Sequence, residues 1–406
     1  MKFLILILII LALAAVGFFF FYLPGRMIEV ENSLSEAESL VSPTPATPLP
    51  TVLRTAFLPD IEAQKQIEDP PKVVRAIYLT GWSGGKEAKI QEVINLARAG
   101  KINAVVIDIK DFSGKTYLFP RPNALIKRLH DENIYVIARL AVFQDPVLAA
   151  ARPELAVKSI KLSESATASD DIWRDYKGLA WIDPAASVSW DYNIKIARDT
   201  WDRGFDEINF DYIRFPTDGD LDDRKFPVWD GKRLMSLVIK DFYKEIRRQM
   251  PDATLSVDLF GLAADTFYDF GVGQMIEDAY DYFDFVSPML YPSHFPLSFL
   301  DPPGSGEGSR AEGTGIASEG QRKPAEYPYE VVRKSMDAAL VRLNNSKASV
   351  SLRPWLQDFD LGADYDVEKV QAQIQAVIDA FGGEDAEQYR GFMLWNPANI
   401  YTEEAL

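Results

Sequence analysis

From Val73 onward the chain repeats one rhythm, a short apolar run followed by a stretch whose apolar residues recur at helical spacing. The runs "VVRAIYLTGW" at 73, "AVVIDIKD" at 104, "IYVIARLAVF" at 134, "DEINFDYIRF" at 206, "TLSVDLFG" at 254, "DFVSPMLYP" at 284, "ASVSLRPW" at 348 and "GFMLWNP" at 391 each read as a strand. Stretches such as "KEAKIQEVINLARAG" and "DVEKVQAQIQAVIDAFGG" between them read as amphipathic helices. Strands alternating with helices in this way predict an α/β chain closed as a (β/α)8 TIM barrel over residues 73–406; an open doubly wound sheet is the alternative. No G-x-G-x-x-G or G-x-x-x-x-G-K-[ST] loop follows any run, which argues against a dinucleotide or P-loop nucleotide.

The residues before the barrel have another character. From Phe3 to Leu23 every residue except Gly17 is apolar or aromatic, long enough as a helix to cross the roughly 30 Å hydrocarbon layer. This predicts a single-pass membrane anchor within residues 1–27, with the barrel outside the cytoplasm; a signal peptide cleaved near "ALA" at 12–14 is the competing reading. Residues 28–72 contain "SPTPATPLPT", where prolines deny helix and favour an extended spacer. A second low-complexity stretch, "PPGSGEGSRAEGTGIASEGQRKP" at 302–324, reads as a flexible insertion after strand six, and 158–178 as a long loop walling a cleft.

Composition excludes several function classes. A net charge of −17 argues against nucleic-acid partners, which need a basic face. There is no cysteine, so no disulfide, thiolate zinc site or cysteine nucleophile, and His130 and His294 are too few for a three-histidine zinc site. No cofactor is expected.

The strand "FDEINFDYIRFP" at 205–216 carries the strongest functional signal. Alternation along a strand points Ile208, Phe210 and Tyr212 toward the helices and Glu207, Asn209 and Asp211 into the barrel. The same counting turns Asp108, Asp258, Arg139 and Arg353 inward. Charges from five strands meet only if the sheet closes, and barrel enzymes take catalytic groups from strand C-terminal ends. A self-satisfied set of internal ion pairs is the bland alternative, above all for Glu207 and Arg139. Two carboxyls across a cleft are the working parts of most glycoside hydrolases, one protonating the leaving oxygen and the other acting as nucleophile or as base toward water. Asp211 and Asp258 are the favoured pair, with Asp108 and Glu207 as further catalytic candidates. Arg139, Arg214 and Arg353 are positioned to orient them, with Asn209 between. Aromatic platforms for sugar rings come from Trp82, Tyr291, Trp355 and Trp395 at strand ends and Trp181 in "WIDP", with Gln357 and Asn396 beside the preferred pair Trp355 and Trp395.

"AVVIDIKDFSG", "YVIARLAVFQD", "WIDP", "FDEINFDYIRFP", "SVDLFG", "VSPMLYPSHF" and "LWNPANIY" together resemble the bacterial family described as a "putative glycosyl hydrolase domain", over roughly Val73 to Ile400. The resemblance implies a TIM-barrel fold and glycosidase-like chemistry on a carbohydrate. Barrel glycosidases similar to the α-amylases carry an aspartate nucleophile ending strand four, which matches Asp211. They usually have an arginine two residues earlier and a glutamate acid on strand five, where this chain has Asn209 and Asp258. The run "DEINFD" is also similar to chitinase-like barrels, but Asp211 and Tyr212 stand where their terminal glutamate would be. The leading expectation is a membrane-tethered glycoside hydrolase acting on a cell-envelope or extracellular polysaccharide. A tethered, non-catalytic carbohydrate-binding barrel is the second reading. Metal-dependent hydrolysis with Asp108, Asp211 and Asp258 as oxygen ligands for Mg²⁺ or Ca²⁺ is a third, lowered by the scarcity of histidine.

Overall fold

The structure, a computed structural model, describes residues 60–116, 121–163, 171–301 and 322–406. All eight expected strands form, as β1 (Val74–Leu79), β2 (Ala104–Lys110), β3 (Tyr135–Ala141), β4 (Glu207–Asp211), β5 (Leu255–Phe260), β6 (Phe285–Leu290), β7 in two pieces (Ser351–Leu352 and Trp355–Gln357) and β8 (Gly391–Trp395). Every neighbouring pair is parallel, and β8 pairs back onto β1, so the sheet closes and the open-sheet alternative falls away. β7 is split because Pro354 has no N–H to give the ladder; β6 pairs with Ser351 and Leu352 before the break and with Trp355 and Leu356 after it.

The helices α1 (Glu87–Arg98), α2 (Pro122–His130), α3 (Ser187–Asp202), α4 (Met235–Gln249), α5 (Ile276–Ala279), α6 (Pro328–Ser346) and α7 (Val367–Phe381) lie in the connections from β1 through to β8. After β8 there is only a 3-10 turn at Glu403–Ala405, and the Tyr401 hydroxyl bridges the backbone of Tyr78. Ile77, Val105, Ile107, Val136, Ala138, Ile208 and Phe210 are buried on the helix side of the sheet. The opposite set, including Val74, Ala76, Tyr78, Ala104, Val106, Tyr135, Ile137, Trp355 and Met393, packs together inside the barrel, as strand alternation requires.

Glu207 and Arg353 form a fully buried ion pair deeper in the barrel, with the Tyr135 hydroxyl also on Glu207 and the Arg353 guanidinium 4.2 Å from the Phe285 ring centroid.

The spacer read over 28–72 does not run to the barrel's edge. Residues from Asp60 onward are docked: the Asp60 carboxylate caps the start of α2 through the N–H groups of Asn123 and Ala124 at 2.8 and 3.1 Å. Gln66 donates to the Trp201 carbonyl at 2.8 Å. The N–H of Ile67 donates to Asp206 at 2.7 Å, and its side chain packs against the barrel-interior cluster. The expected anchor within 1–27 lies outside the described residues, as do 302–321 of the insertion. Among the described residues no helix is long and apolar enough to cross a membrane.

Candidate active site

Asp108, Arg139, Asp211 and Asp258 sit at the C-terminal ends of β2, β3, β4 and β5, where strand register sets Asp108 beside Arg139 and Arg139 beside Asn209. Arg139 is the hub. It donates from Nη1 to Asp108 Oδ1 at 2.7 Å and from Nη2 to Asp211 Oδ2, and its Nε lies 3.7 Å from Asp258 Oδ2. Arg139 is the register partner of Asn209 on the adjoining strand.

The two favoured carboxyls have different surroundings. Asp211 has both oxygens engaged, one by Arg139 and the other by the N–H of Tyr212 at 2.5 Å. Asp258 is 1% exposed; its Oδ1 accepts from Asn209 Nδ2 at 2.8 Å and from the Trp355 indole at 2.7 Å. Its Oδ2 is buried without a hydrogen-bond partner. Burial, and next the charge of Asp211, push the Asp258 carboxyl well above the ordinary range, against the opposing pull of Arg139 and its two donors. Burial also raises Asp108, whose Oδ2 accepts from the Tyr78 hydroxyl at 2.5 Å. Burial opposes charge on Arg139 too, but Asp108 and Asp211 outweigh it and hold the guanidinium ionised.

Because Asp211 and Asp258 contact one guanidinium, their separation is bounded by the width of that group plus two contacts. That bound does not exceed the roughly 9.5 Å that paired glycosidase carboxyls span. Both line an open cavity of about 550 Å³, large enough for sugar residues. Among the described residues no group of three or more His, Cys, Asp or Glu is arranged to hold a metal ion. The space between Asp108, Asp211 and Asp258, read as a possible oxygen-ligand triad, is filled by Arg139 instead.

The remaining expected residues divide into groups. Arg214, Tyr291, Trp355 and Trp395 line the cavity with the two aspartates. Trp395 stacks on Tyr291 with centroids 5.2 Å apart, a flat apolar wall. Trp355 is buried edge-on as a hydrogen-bond donor rather than an open platform. Asn209 lies beneath, bridging Asp258 and Ser256. Gln357 is buried against Ser293, and Asn396 ties its amide to the Asp358 carbonyl, so neither lines the cavity. Trp181 is buried under Arg214, and Trp82 is 69% exposed away from the cavity with Lys86 over its ring. Glu207 and Arg353 neutralise each other below the site and do not reach it.

Tyr212 is a correction. Strand alternation pointed it at the helices, but its φ of 54° ends the strand pattern at Asp211 and brings the ring to the cavity, 6.0 Å from Arg139 and 5.6 Å from Arg214. Strand reading missed Tyr78, which its parity with Val74 and Ala76 would have found. It also missed Lys177, Asp218, Phe260, Leu262, His294 and Phe295, most of them on loops where no periodicity applies.

The family model described as "putative glycosyl hydrolase domain" matches residues 76–401, from β1 through all eight strands to Tyr401. The chain belongs to that family. No curated protein matches the sequence. Among solved structures, a hypothetical protein from Ruminiclostridium thermocellum is 38% identical, over 45% of this chain and 96% of that one, with a TM-score of 0.40. An α-galactosidase from Thermus thermophilus in complex with stachyose is 12% identical over 84% of this chain, with a TM-score of 0.49; the chain spans 65% of its length. The glycoside hydrolase domain of PelA from Pseudomonas aeruginosa is 13% identical over 82% of this chain and 97% of that one, with a TM-score of 0.42. As a member of the glycosyl hydrolase domain family, the protein has a glycosidase-like barrel, and its charged layer sits at the end of the strands where such barrels carry their chemistry.

Proposed function

We propose that the protein is a glycoside hydrolase in which Asp258 is the general acid and Asp211 the nucleophile or the base toward water. The observation that carries this reading is the unequal treatment of two carboxyls held on one guanidinium. Asp211 has both oxygens hydrogen-bonded, by Arg139 and by the N–H of Tyr212, whereas Asp258 is buried and raised, with one oxygen held by two donors and the other 3.7 Å from Arg139 Nε without a hydrogen bond. The proton of the Asp258 carboxyl passes to the glycosidic oxygen as the bond to the anomeric carbon breaks. Asp211 meets the developing positive charge, by direct attack or by taking a proton from water. Arg139 holds the Asp211 carboxyl in place through that change. Trp395, half-buried in the cavity wall and backed by Tyr291, offers an aromatic surface to the sugar.

The apolar run from Phe3 to Leu23 supports a cell-envelope or extracellular polysaccharide as substrate and an extracytoplasmic site for the barrel. The test is release of reducing ends from a polysaccharide panel by wild type and Asp211→Asn. Loss of about 10²–10⁴-fold in the folded variant is expected, and equal rates would remove Asp211 from the mechanism. Binding of a glycan by wild type with no product after long incubation would favour the carbohydrate-binding reading instead.

A further inference from the structure

One end of the cavity carries groups that the hydrolytic mechanism does not use. Lys177 lies on the turn between β3 and α3, and that turn is built rather than loose. Asp175, itself buried, accepts from the N–H of Lys177 and of Leu179 at 2.9 Å each, and its other oxygen takes Gln144 Nε2 and the Trp181 indole. The N–H of Tyr176 donates to the Asp218 carbonyl at 3.2 Å, tying the turn to the segment after β4. The side chain of Lys177 is exposed at the cavity wall and makes no ion pair among the described residues.

Across from it, Arg214 is 5% exposed and fixed between the rings of Trp181 and Phe260, with its guanidinium 4.6 and 4.8 Å from their centroids. Its one carboxylate partner, Asp218, is 3.3 Å away with a largely exposed side chain. His294 lines the same end, and burial, then the nearby Lys177 charge, lower its pKa, which leaves a neutral imidazole as a hydrogen-bonding group. Arg214 is paired with Asp218 and Arg139 with Asp108 and Asp211, so Lys177 is the cation of the cavity lining that has no carboxylate partner among the described residues. A chain of net charge −17 repels acidic polymers at long range. At physiological salt, however, screening beyond about 8 Å lets local groups decide what binds.

We infer that Lys177 and Arg214, with His294 beside them, form a subsite for a negatively charged substituent on the glycan, so that the substrate is an acidic rather than a neutral polysaccharide. This rests on the glycosidase reading above, but its test is separate because binding is read without turnover. Full-length Asp211→Asn protein is applied to an array holding oligogalacturonides, their carboxyl-reduced counterparts, and sulfated, phosphorylated and neutral oligosaccharides. Charged members of one class are expected to bind about tenfold or more tightly than their neutral counterparts. Lys177→Met is expected to lose most of that preference, Lys177→Arg to keep it, and binding of neutral members to stay unchanged. Which charged class binds identifies the substituent. Equal binding of charged and neutral members, binding of neutral members alone, or no binding of any charged member would overturn the inference. Hydrolysis of neutral glycans with no charged binding would overturn it while leaving the glycosidase reading intact. Binding of charged glycans without hydrolysis of any would do the reverse.

Discussion

A single carboxyl, that of Asp258, carries the most specific chemistry in this account, and it does so at a cost in stability. Its pKa in the folded chain is raised, so the native state binds more protons there than the unfolded chain, whose aspartates titrate near 3.9. Its contribution to stability is therefore fully present below that ordinary value and is lost as pH rises toward its folded pKa. Asp258→Asn keeps an oxygen for Asn209 and Trp355 but has no proton to lose. Its melting temperature should match wild type in acid and exceed it increasingly as pH rises through that window; a constant offset at every pH would argue against a raised pKa. The same variant should lose about 10²–10⁴-fold on a natural glycan. It should be far less impaired on an aryl glycoside whose leaving group needs no proton, and there the alkaline fall in kcat/KM should disappear. An equal loss on both substrates would remove Asp258 as the acid.

Among the elements, strand alternation was enough to collect Asp108, Arg139, Asp211 and Asp258 on one side of the sheet, because residues of a closed parallel strand have only two directions available. It failed where the backbone left the strand. Tyr212 turned to the cavity through its positive φ, and Lys177 and His294 lie on loops whose paths depend on tertiary contacts. Alternation also says nothing about depth. Glu207 shares the face of Asp211 but lies two inward positions lower, beneath Asn209, where Arg353 rather than substrate meets it. Arg353→Met should therefore destabilise the fold by about 3–5 kcal/mol in urea titration, since it leaves the buried Glu207 with the Tyr135 hydroxyl but no counter-cation. Adding Glu207→Gln should recover a large part of that loss. Glu207→Gln alone should leave the pH profile of hydrolysis in place, whereas a shifted profile would return Glu207 to the catalytic set.

At the scale of the whole molecule, composition and rhythm marked out the barrel but not the segment docked against it just before the first strand. The proline-rich spacer has no pattern of its own, so nothing in residues 60–72 showed that Asp60 caps α2 or that Ile67 packs against the barrel-interior cluster. A chain beginning at Val73 loses the Ile67 contact and several hydrogen bonds, each worth about 1 kcal/mol. It should melt roughly 5–10 °C lower than one that begins at Asp60, at about 2–4 °C per kcal/mol for a domain of this class. Equal melting of the chains that begin at Asp60 and at Val73 would show that the docked segment adds nothing.

The central claim is that Arg139 gathers two aspartates and that burial beside Asp211 raises the carboxyl of Asp258. It is read most directly by carbon-13 NMR titration of aspartate-labelled protein, with Asp211→Asn and Asp258→Asn used to assign the two carboxyls. The account predicts a signal lost in Asp258→Asn that titrates well above the ordinary value of about 3.9 and moves back toward it when the neighbouring charge is removed in Asp211→Asn. An Asp258 carboxyl that titrates at or below that ordinary value would contradict it.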